Sequence, residues 1–109
     1  MAYSEELADR IEEVISEREQ VVAKKMFGGV AWMVSGNMAV GVIGDRLKVR
    51  LEQEEAEAAL GEQHVWPMDF TGKPMRGFVT VEPEGLDEDR DLERWVNAGA
   101  DFAASLPAK

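Results

Sequence analysis

Between Val30 and Leu51 the chain alternates short runs of strand-forming residues with turn signals, and that spacing constrains the fold more than any other feature. Ser35-Gly36-Asn37 and Gly44-Asp45 separate the runs Val30–Val34, Met38–Ile43 and Arg46–Leu51. Gly-Asn and Gly-Asp pairs suit tight hairpin turns whose central residues need positive φ. Consecutive hairpins make an antiparallel meander. Gly28-Gly29 marks an earlier bend, preceded by a short strand near Lys25–Phe27. The last run alternates cleanly, with Leu47, Val49 and Leu51 on one face and Arg46, Lys48 and Arg50 on the other. One face of the sheet is therefore expected to be buried and the other wet.

Helical patterns flank the meander. Leu7, Ile11, Val14, Ile15 and Arg18 follow a helical spacing over Ser4–Arg18, with Ser4 as N-cap and Glu5 and Glu6 at the positive end of the macrodipole. Gln53–Leu60 has helix-forming composition and stops at Gly61. The segment through Gln63, His64 and Pro67 reads as irregular, Thr71-Gly72-Lys73-Pro74 as a turn, and Arg76–Val81 as a further strand. After a turn at Pro83-Glu84-Gly85, Asp87 is the expected N-cap of a closing helix. Its stripe carries Leu92, Trp95, Val96, Gly99, Phe102, Ala103 and Leu106, and Pro107 ends it. Strands flanked by helices, without βαβ alternation, predict a two-layer α+β fold. The N- and C-terminal helices pack on one face of the antiparallel sheet, and residues 1–109 make a single domain. Leu7, Ile11, Leu47, Val49, Trp95 and Phe102 are expected to share one core. Trp32 should point with Val30 and Val34, opposite Ala31 and Met33. Since both of those faces are apolar, one of them is expected to meet a second subunit, as in a homodimer, or another partner.

The net charge of −10 argues against indiscriminate binding to nucleic acid or anionic lipid. Its distribution is uneven. Met1–Val22 holds seven acids and two bases, whereas Lys24–Leu51 sets Lys24, Lys25, Arg46, Lys48 and Arg50 against Asp45 alone. Acidic helices thus flank a basic middle. Lys25, Arg46, Lys48, Arg50, Lys73 and Arg76 are the candidate partner-binding residues. Charge on such a strand can also guard a sheet edge or pair with the acidic helices. An acidic protein partner suits the basic face better than a nucleic acid does, because no aromatic stacking platform lies on that strand.

Chemistry has little to work with. Cysteine is absent and His64 is the one histidine, placed in a polar connection before Trp66-Pro67. No serine sits in a Gly-x-Ser-x-Gly elbow, and Gly72-Lys73-Pro74 fails the pattern of a phosphate-binding loop. Asp87-Glu88-Asp89-Arg90-Asp91 opens like a calcium loop, but Leu92 stands where glycine is needed and Ala98 where the bidentate acid is needed. No catalytic residue, cofactor or metal site is expected, and an enzyme reading would need a deep polar pocket. No apolar run reaches the roughly 20 residues of a membrane span. The acidic, polar N-terminus is unlike a targeting peptide, so a cytoplasmic location is the simplest expectation.

Two segments stand apart: Lys24-Lys25-Met26-Phe27-Gly28-Gly29 and Asp69-Phe70-Thr71-Gly72-Lys73-Pro74-Met75-Arg76-Gly77-Phe78. With the helix around Tyr3–Arg18, Gly36-Asn37-Met38, Asp45-Arg46-Leu47 and the Trp95 helix, the chain resembles the N-terminal domain of the TfoX/Sxy competence regulators. The resemblance implies a two-layer fold and a regulatory setting in bacteria. It supplies no catalytic residues. Members with both domains carry a C-terminal helical domain after this one, so a chain ending at Lys109 looks like a stand-alone form.

Overall fold

The computed structural model describes residues 3–26, 28–70 and 73–108, with side chains for all of these except residues 26, 68–70 and 73–76. Phe27, Thr71 and Gly72, together with the side chains of Lys73, Met75 and Arg76, lie outside the described residues. Helix α1 spans Glu5–Ile15, followed by strands β1 (Val21–Met26), β2 (Gly29–Val34), β3 (Asn37–Ile43) and β4 (Arg46–Arg50). Helix α2 (Gln53–Ala59), strands β5 (Val65–Phe70) and β6 (Lys73–Val81), a 3-10 turn at Pro83–Leu86 and helix α3 (Asp89–Ser105) complete the order. The strands form one six-stranded antiparallel sheet in the order β1-β2-β3-β4-β6-β5. The fold is α+β, as the turn spacing predicts.

Register explains which side is dry. Val30, Val42, Leu47, Val81 and Val65 stand opposite one another across the strands, and so do Trp32, Val40, Val49 and Val79. All nine are buried. The helices cover this face. Trp32 Nε1 donates to the Glu12 carboxylate of α1 at 2.6 Å, and Gly99 of α3 lies against Val40. Ala39 has no partner on β2, where the register slips beside Trp32, so β3 bulges there. A Cβ at Gly99 would sit 2.5 Å from the Ala39 carbonyl oxygen, so glycine is what lets α3 settle onto the bulge.

Ser4 caps α1 as expected, accepting from the Leu7 N–H at 3.2 Å, and Leu7, Ile11 and Ile15 are its buried stripe. The middle helix joins the same layer: Leu51 and Ala59 border one depression with Trp95 and Ala98 of α3.

Several expectations need correction, and the first strand, expected near Lys25–Phe27, already begins at Val21. The segment from Val65, read as irregular around Pro67, is an edge strand, and an edge is where a residue without an N–H can sit in a sheet. Asp87 does not cap α3; a 3-10 turn intervenes, and Glu88 occupies the cap position without a side-chain bond. Arg18 lies beyond the end of α1, where it bonds to Asn97 and Asp101 of α3. Phe102 is half-buried rather than in the core, whereas Leu7, Ile11, Leu47, Val49 and Trp95 do share one core. Its ring lies 5.6 Å below the Arg50 guanidinium.

Candidate functional site

The face of the sheet turned away from the helices follows from the same register. One row crosses all six strands: Lys24, Ala31, Gly41, Lys48, Thr80 and Trp66. Val22, Met33 and Met38 form the row on one side of it, and Gly29, Ile43 and Arg46 the row on the other. Among the described residues no helix packs here. The floor is made of small side chains, with Ala31 and Thr80 each 2% exposed. A Cβ at Gly41 would meet the Met38 methyl at 3.2 Å, so methionine lies over the centre of the floor. The rim is apolar and basic. Val22 and Trp66, at opposite edges, are 54% and 55% exposed.

The cations on this face differ from those on the helices. Arg10 pairs with Asp89 at 3.3 Å, Arg18 with Asp101 at 2.7 Å, Arg90 with Glu88 at 2.8 Å and Arg94 with Glu62 at 2.6 Å. Lys24, Arg46 and Lys48 have no ion-pair partner among the described residues, although Glu82, just past the end of β6, continues the row of Arg46. Lys48 donates from Nζ to the Thr80 hydroxyl at 2.9 Å. Partial burial, reinforced by Arg46 on the same strand, pushes the Lys48 pKa below the usual lysine range. Unpaired, partly desolvated positive charge on an acidic protein suits an anionic surface of matching shape.

The sequence-based candidates divide on this surface. Arg46 and Lys48 share it. Arg50 leaves them, because its guanidinium lies over the rings of Phe78 at 5.8 Å and Phe102 at 5.6 Å. Lys25 is exposed but stands opposite Val30, in the row that belongs to the helix-covered face; its neighbour Lys24 takes the place on the open one. The side chains of Lys73 and Arg76 lie outside the described residues. Trp66 was not among the candidates, and only the pairing of β5 with β6 brings it into line with Lys48. Trp32 sits in the core, so the second apolar face of β2 is the Ala31 and Met33 side.

Catalytic geometry is not evident among the described residues. A depression of about 370 Å³ between α1 and α3 is bordered by Arg10, Glu13, Glu17, Asp89 and Glu93 without a histidine, serine or threonine. No described helix is long and apolar enough to cross a membrane. Compared with known families, residues 13–103 match the model of the TfoX N-terminal domain, a span that runs from the end of α1 through all six strands and α2 into most of α3. None of the curated proteins compared with the chain matches it.

Proposed function

This chain belongs to the TfoX N-terminal domain family, and from that premise we propose that it is a non-enzymatic regulatory module that binds an acidic protein partner through its open sheet face. The observation that carries the reading is the separation of charge. Arginines of the helix layer are ion-paired, while Lys24, Arg46 and Lys48 stand unpaired beside Val22, Met33, Met38 and Trp66 among the described residues. Apolar centres with a charged rim are how protein interfaces combine affinity with orientation. Exposed tryptophan is the kind of residue that anchors them. The setting is the cytoplasm of a bacterium, and the process is transcriptional regulation, with competence the process suggested by the family's name. A second copy is a poor occupant, because back-to-back pairing would set Lys24, Arg46 and Lys48 against their own images.

The test compares wild-type chain with the triple variant Lys24→Glu, Arg46→Glu, Lys48→Glu as bait in the native cell, with partners identified by mass spectrometry and their affinities then measured in purified form. A partner held through this face should bind the variant at least about tenfold more weakly, and the wild type more weakly as salt rises. Full affinity in the variant would rule the face out. Direct nucleic-acid binding is the competing reading, favoured by the three unpaired cations and opposed by the net charge. Titration of a mixed-sequence duplex by anisotropy separates the two. Affinity tighter than about micromolar at physiological salt, falling steeply as salt rises, would replace the protein partner with nucleic acid.

A further inference from the structure

At the end of the β5–β6 pair one imidazole and two carboxylates converge, and we infer that His64, Glu82 and Glu84 form an open three-ligand site for a divalent transition-metal ion, best matched by Zn²⁺. His64 is distant in sequence from Glu82 and Glu84, and the three fit no spacing motif, so a metal site is not expected from the sequence. The fold assembles them in two steps. The Glu82 N–H donates to the His64 carbonyl at 2.9 Å, adding a rung below Val65 and Val81 and setting the two residues side by side. The 3-10 turn at Pro83–Leu86 then brings Glu84 round to the same place.

The geometry is close to what a metal needs. His64 Nδ1 and the nearer Glu82 oxygen are 3.9 Å apart, and one ligand atom from each of the three residues lies within 4.8 Å of the others. Ligand atoms about 2.0–2.1 Å from a tetrahedral Zn²⁺ stand about 3.3 Å apart. Closing that gap takes movements of about 1 Å, within the range of χ rotations of two glutamates. His64 is fixed at the start of this arrangement in an uncommon backbone state, φ +66°. Gly85 packs against it, since a Cβ there would come within 3.1 Å of His64 Cβ.

The donor set selects the ion. Two carboxylates offset the charge of a dication, and an imidazole nitrogen favours Zn²⁺ and its neighbours over Mg²⁺ or Ca²⁺, which take oxygen. Three protein ligands leave a fourth position for water. The chain has one histidine and no cysteine, so selective affinity for Zn²⁺ over Mg²⁺ must pass through His64. The site lies at the margin of the sheet, in line with Arg46, and Trp66, which follows His64 by two residues, can report on it.

Calorimetric titration of the untagged full chain with ZnCl₂ tests the inference. One Zn²⁺ should bind per chain, undisturbed by a tenfold excess of Mg²⁺, and should raise the melting midpoint. His64→Gly removes the ligand while suiting the positive φ. It should weaken binding by about a hundredfold, and Glu82→Gln by about tenfold, with metal-free melting midpoints within a few degrees of wild type. Co²⁺ should give visible absorption bands in the wild type that His64→Gly lacks. Absence of saturable binding overturns the inference. So does affinity unchanged in His64→Gly, or displacement of Zn²⁺ by equimolar Mg²⁺, because either would reduce the trio to an acidic surface.

Discussion

Single positions show how unlike reasons can hide in one motif. Gly28 and Gly29 are adjacent, and the sequence marks both simply as a bend. Gly28 has φ +76°, whereas a Cβ at Gly29 would collide with the Val42 carbonyl oxygen. The first needs a left-handed backbone and the second needs the absence of an atom. Gly28→Ala should therefore cost about 1–2 kcal/mol, from the left-handed penalty alone. Gly29→Ala should cost more, about 3 kcal/mol, because the neighbouring strand must move. Urea unfolding of the two variants checks the order, and equal midpoints would refute the distinction. Trp32 is a second case. Its N–H meets a charged carboxylate, so Trp32→Phe should lose about 1.5–3 kcal/mol for that bond, in addition to the cost of the space left by the smaller ring. A double-mutant cycle with Glu12→Gln would show whether that energy is shared. The glycines were legible in the sequence, but the contact each one permits depends on register, which no local pattern contains.

Among elements, α3 carries most of the layer over β3 and β4, with Trp95 4% exposed at its centre. Trp95→Ala should cost about 3–5 kcal/mol by thermal or urea unfolding, as for other buried aromatics. On its outer side Arg94 makes a two-pronged bond to Glu62, at 2.8 and 2.6 Å, and stacks over Trp95 at 4.3 Å. That bond lowers the Glu62 pKa and raises that of Arg94. A carboxylate whose folded pKa is depressed stabilises the fold above its unfolded pKa, and the contribution fades as pH falls through the folded value. Wild type should exceed Glu62→Gln in stability at pH 7 by under about 1 kcal/mol, since both groups are substantially exposed. The two should converge as pH drops below the ordinary glutamate range, and a difference that persists in acid would assign the effect to packing instead. Periodicity made α3 legible almost end to end, because a buried stripe on a long helix is a strong signal. The edge strand β5 was not, since Pro67 locally mimics a loop and only its partner β6 makes it a strand.

At the scale of the molecule, the paired arginines lie with the acids of the helix layer and the unpaired cations Lys24, Arg46 and Lys48 on the open sheet face, and that sorting has a stability cost at one point. Lys48 is partly desolvated and repelled by Arg46, so its charged form is disfavoured in the fold. For a base with a lowered folded pKa, that penalty is present at neutral pH and is relieved as pH rises through the folded value toward the unfolded one. Lys48→Gln, which can still bond Thr80, should leave stability at pH 7 unchanged or raise it by less than about 1 kcal/mol, while weakening partner binding. A loss of both would mark Lys48 as structural. The basic face itself was half legible. Arg46 and Lys48 follow from strict alternation in β4. The choice of Lys24 over Lys25 needed the start of β1, and Trp66 needed the order β4-β6-β5.

The ties between the two terminal helices bear on how the protein is made. Arg10 donates to the Leu86 carbonyl oxygen at 2.7 Å, and Arg18 reaches Asn97 and Asp101, so part of the docking of the first helix waits for the last helix and the turn before it. Synthesis runs from the N-terminus, and the hairpins of β1–β4 involve near neighbours that can zip up early. A ribosome carrying this chain therefore holds a meander whose valine-rich side lacks much of its cover until α3 emerges. That interval is when the nascent chain is most open to chaperones and to aggregation. A release after residue 88 should yield an insoluble or chaperone-bound fragment, even though most of the strands are present.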